Sequence, residues 1–109
     1  MRKFFKLMDN LVDGFPVHIE IYYSKMLDWC IKIWKEGCAS DYPESEYEIN
    51  EEKRTFDAIL CDIQESDRNL CFRKAYKAVR KWLLLNTKID PDLLMKTGKE
   101  EELDAEPWE

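Results

Sequence analysis

The chain has 109 residues, 45% of them hydrophobic, which is enough for one domain with a modest core and no covalent staples. Its 23 acidic residues outweigh 17 basic ones to a net charge of -6, which weighs against a nucleic-acid-binding protein, and no run of 18 apolar residues occurs, which excludes a transmembrane helix. Cysteines at 30, 38, 61 and 71 and a single histidine, His18, match no zinc or redox spacing, so buried reduced thiols are expected.

In chain order, Phe4, Phe5, Met8, Leu11 and Val12 have the spacing of a short first helix, broken at Asp13-Gly14. Basic residues near the start are followed by Lys6, Asp9 and Asp13, which interrupt any signal-peptide apolar core, so a cytoplasmic protein is expected. Residues 16–37 read as the central helix. Ile19, Tyr23, Met26, Cys30, Ile33 and Trp34 fall at steps of three and four, with Pro16 suited to a first helical turn and Gly37 to a helix end. The competing reading, from the alternation of Val17-His18-Ile19-Glu20-Ile21, is a short strand near residues 17–22 leading into a shorter helix.

A polar surface connection follows, and a third helix is predicted from Ile49, with its stripe at Ile49, Phe56, Ile59, Leu60 and Ile63 and with Ser45 or Asn50 as cap. Ser66-Asp67 offers another cap. Cys71, Phe72, Ala75, Val79, Trp82 and Leu83 then carry a fourth stripe to Asn86, joined to the third as a tight hairpin rather than one kinked helix. Asp90-Pro91 starts a short helical turn. The expected fold is therefore all-α, a bundle of about four helices over residues 1–97, followed by an acidic, flexible tail at 98–109.

Charge is segregated along this plan. Residues 68–89 hold seven bases and no acid, and Arg73, Lys74, Lys77, Arg80 and Lys81 share a predicted helix face that could seat phosphates. Asp41, Glu44, Glu46, Glu48, Glu51 and Glu52 fall in a stretch without a base, a candidate contact for a basic surface on another protein. Trp108, in the tail's Glu-Pro-Trp-Glu, is a candidate anchor on a partner or on the basic helix. No catalytic, cofactor or metal site is expected: one histidine cannot build a repeated Glu-x-x-His site, no serine has an activating context, and three glycines form no phosphate loop. These features predict a small acidic protein-binding regulator or inhibitor of the kind carried by phages and mobile elements, acting by occlusion and possible as a homodimer. The competing reading is a nucleic-acid-associated regulator that uses the basic helix.

Overall fold

In the computed structural model, which describes residues 1–96, the first apolar repeat forms α1 (Arg2–Val12) and buries Phe4, Leu7, Met8 and Leu11 on one stripe. The next segment corrects the expectation. Residues 16–37 are not a helix but an antiparallel hairpin of β1 (His18–Ser24) and β2 (Asp28–Lys35), paired from His18 opposite Trp34 to Ser24 opposite Asp28.

The physical reason is the alternation and the β-branched residues, which suit a pleated strand covered on one side. Ile19, Ile21 and Tyr23 share a face with Trp29, Ile31 and Ile33, and His18, Glu20 and Tyr22 share the other with Cys30, Lys32 and Trp34. A helix would have put Met26 in the core; it lies in the hairpin turn, 91% exposed. Pro16 precedes β1, and Gly37, at φ +69, turns the chain out of β2 in a conformation that costs glycine little.

A second hairpin replaces the predicted third helix. Here β3 (Glu46–Asn50) pairs with β4 (Thr55–Glu65), and β4 inserts beside β2 to complete one antiparallel sheet in the order β1-β2-β4-β3. The fold is α+β, not an all-α bundle. A bulge accounts for the misleading spacing: Ile33 lies opposite Cys61 and Trp34 opposite Ile59, so Leu60 is an extra residue on β4. The extra residue shifts the phase of alternation. Phe56 and Ala58 share one face before it, and Cys61 and Ile63 share that face after it, although the helix does not reach Phe56, which is 53% exposed. As a result Phe56, Ile59, Leu60 and Ile63 fall at steps of three, one and three, the spacing of a helix stripe.

After a turn at Ser66-Asp67 comes α2 (Arg68–Asn86), a helix over the predicted residues, so the link is strand to helix and neither a helical hairpin nor a kink. The Asp67 carboxylate accepts the Leu70 N–H at 3.0 Å, meeting one of the unpaired donors of the first turn. Its buried stripe is Cys71, Phe72, Ala75, Val79, Trp82 and Leu83. This stripe packs chiefly over β4 and less over β2, while α1 lies beside it through the edge-to-face rings of Phe4 and Phe72, 5.2 Å apart.

Finally α3 (Pro91–Met95) is tied to both helices. Asn10 Nδ2 donates to the Leu94 carbonyl at 2.5 Å, and Arg80 pairs with Asp92 at 2.7 Å. One core joins Leu7 and Leu11 of α1, Ile31 and Ile33 of β2, and Val79 and Leu83 of α2. The opposite sheet face is solvent-exposed at His18, Glu20, Tyr22, Asp62 and Gln64.

All four cysteines are free and buried. Burial pushes the Cys61 thiol from the usual 9.0 up to about 12 and also raises Cys38 and Cys71, which favours the neutral thiol over the thiolate at all three. Among the described residues no helix is long and apolar enough to cross a membrane.

Candidate protein interface

The basic residues come first because α2 does carry them. Arg73, Lys74, Lys77, Arg80 and Lys81 are absent from the buried stripe of the helix. Several of them are already engaged. Lys74 pairs with Glu65, and Arg80 pairs with Asp92 while its guanidinium lies 5.6 Å from the Tyr76 ring. Lys77 and Lys81 are exposed and make no ion pair among the described residues, so the face offers fewer unengaged cations than its sequence suggests.

The acidic residues are not gathered into one patch. Asp41 ends the short 3-10 turn Ala39–Asp41, Glu44 lies in the loop after it, Glu46 and Glu48 alternate along β3 onto one face, and Glu51 and Glu52 occupy the β3–β4 turn. Glu48 takes the Lys32 ammonium at 2.5 Å, and that hydrogen bond holds the Lys32 pKa above its usual value. Lys32 also lies 5.5 Å from the Trp34 ring, on which His18 stacks at 5.3 Å and 11°. This cluster braces the uncovered sheet face across three strands. Glu44 and Glu46 make no ion pair among the described residues, and with Asp62 they border a cleft of about 240 Å³ between β4 and α2.

The cleft follows from a mismatch in strand length. Pairing with β3 ends at Ile59, so residues 60–65 of β4 have β2 on one side and no strand on the other. Every second residue along such an edge turns its N–H and C=O outward. Above it runs α2, antiparallel to β4. The Lys74–Glu65 pair stands at one end, and at the other the Trp82 indole N–H donates to Ser45 Oγ at 2.7 Å. The Ser45 hydroxyl in turn donates to the Glu46 carbonyl at 2.8 Å and approaches the Ile59 carbonyl at 3.5 Å, which fixes the start of β3. Between these ends α2 contributes Ala78 and Lys81, and just past Trp82 it contributes Leu85, 59% exposed. Asn86, on the same wall, has a buried Oδ1 with no donor among the described residues.

A larger groove of about 420 Å³ lies at the far end of the sheet, lined by Gly37, Ala39, Arg54, Thr55 and the rings of Tyr47 and Phe56, 5.8 Å apart. There β4 is paired with β3, and β2 has ended at Lys35 opposite Ala58, so residues 55–57 lack a strand on the β2 side, where the chain from Gly37 to Ala39 passes instead. Among the described residues no three His, Cys, Asp or Glu side chains converge as a metal site requires. Trp108 and the acidic tail lie outside the described residues.

The unpaired edge went unread because no strand was expected over residues 55–65. Its signal was the alternation of Cys61, Asp62, Ile63 and Gln64 just before the Asp67 cap. No family model, curated protein or solved structure matches the chain.

Proposed function

We propose that this chain is a small non-catalytic protein-binding regulator or inhibitor that covers a surface of its partner and holds it at the cleft between β4 and α2. The observation that carries this reading is the open half of β4, roofed by α2 and bordered by Glu44, Glu46 and Asp62, which form no ion pair among the described residues. Three carboxylates against the single cation Lys81 leave the rim of the cleft negative, which attracts a basic partner at long range and selects its orientation on contact. The net charge of -6 acts in the same direction.

The test compares affinity capture from native lysate by the wild type and by the triple variant Glu44→Gln, Glu46→Gln, Asp62→Asn. The expected result is a nuclease-resistant protein partner that is lost with the variant and at high salt, while the thermal midpoint stays within a few degrees, since all three side chains are exposed. Equal capture by the variant would remove the cleft from consideration. Loss of all captured material after nuclease would transfer the function to Lys77 and Lys81 on α2.

A further inference from the structure

The way the cleft is built specifies how a partner would enter it. We infer that residues 60–65 of β4 accept an extended segment of the partner as an added strand, with alternate side chains apolar and basic; this rests on the protein-binding reading above.

Three observations carry the inference. First, the sheet stops short beside β4: β3 covers it only as far as Ile59, and the six residues beyond span about 20 Å, room for a segment of similar length. Main-chain hydrogen bonds to such an edge give affinity with little dependence on sequence. Second, the two sides of the vacant position differ in chemistry. A strand added there would turn every second side chain toward α2, where Ala78 and the aliphatic stem of Lys81 offer apolar surface, with Leu85 just past the Trp82 end. The intervening side chains would lie on the face that carries Asp62 and Glu46. Alternating apolar and basic residues match both sides at once.

Third, the position of α2 discriminates between occupants. Pairing two copies edge to edge about a two-fold axis would place their β4 strands about 4.8 Å apart, each beneath its own α2. Helices packed side by side need about 8–10 Å between axes. Because α2 packs chiefly over β4, the two helices would collide, whereas a lone strand brings no helix with it.

The experiment follows amide hydrogen exchange of the full chain by NMR, alone and with blocked nine-residue peptides. One alternates valine and lysine, a second alternates valine and glutamate, and a third is the valine-lysine peptide with alternate backbone nitrogens methylated. The valine-lysine peptide is expected to slow exchange about tenfold or more at alternate amides within residues 60–65, leaving the outer edges of β1 and β3 unchanged. The glutamate and methylated peptides should have far smaller effects. Protection at β1 or β3 instead, equal protection by the methylated peptide, or none with any peptide would overturn the inference. So would protection of residues 60–65 in the isolated chain: independent of concentration it would mean that the chain fills its own edge, and rising with concentration it would mean a second copy. Failure of the peptides while the triple variant still loses its captured partner would refute strand addition alone. Unchanged capture by that variant would refute the protein-binding reading beneath it.

Discussion

Strand β4 is paired on both sides only at Ala58 and Ile59; Thr55 to Asp57 have β3 alone beside them, and residues 60–65 have β2 alone. The helix α2 compensates only in part for the missing neighbour. It covers the side chains of the second half, including Cys61 at 5% exposure, but a helix lying on a sheet cannot satisfy the main-chain groups along its edge. The lesson is that burial and pairing are separate properties of a strand. Ala58 is finished in both respects, Phe56 before it in neither, at 53% exposure and with no β2 partner, and Cys61 after it only in packing.

Four changes would break or sharpen this contrast. The largest effect is expected from Ile33→Ala at the centre of β2, fully buried opposite the bulge, where lost apolar area and the residual cavity should cost about 2–5 kcal/mol and loosen both halves together. Urea unfolding followed by circular dichroism measures it. A loss confined to exchange within residues 60–65 would show that the halves unfold separately.

The second concerns Cys61, whose thiol is held neutral by burial up to about 12 from the usual 9.0. Its folded pKa is raised, so the associated stability is fully present below pH 9. As pH rises toward 12 the unfolded chain ionises and the folded chain does not, and stability falls by about 1.4 kcal/mol per unit for this one group. Cys61→Ser removes that slope, and its stability deficit against the wild type should shrink between about pH 9 and 11. A deficit constant across that range would contradict the assignment.

Asp67→Ala should cost about 1 kcal/mol by removing the cap on α2, and faster exchange should appear at the Leu70 amide while β3 is unaffected. Last, Lys74→Gln removes an exposed ion pair to Glu65 and should change global stability by less than about 1 kcal/mol. Its value lies in the local readout. Faster exchange at Glu65 without loss elsewhere would mark the pair as a closure of one end of the cleft, and no change at all would show that the edge is open there already.

How much of this was legible in the sequence differs by element. The helices α1 and α2 were readable, the latter with its Asp67 cap, because each has one covered stripe and a polar remainder. The sheet was not. In residues 16–37 the apolar residues of two strands and a turn interleave to imitate helical steps, and only the alternation from Val17 to Ile21 showed the true period. In residues 55–65 the bulge at Leu60 broke the period of two that would have revealed β4. The acidic candidates were visible as a charge run, but their division was not. That Glu48 is engaged by Lys32 while Glu44 and Glu46 border a cleft depends on register and strand length, which composition does not encode.

The hydrogen bond from Asn10 to the Leu94 carbonyl joins positions 84 apart in the chain. It belongs to a wider pattern, in which α1 has its main contacts with α2 and α3 and not with the hairpin that follows it. The first helix is therefore made long before the surfaces that cover it. During synthesis its apolar stripe must wait, and β2 must also wait for β4, before loop closure gains anything from contacts so distant in sequence. Folding of this chain should consequently be a single late, cooperative event, with no early fragment able to stand on its own.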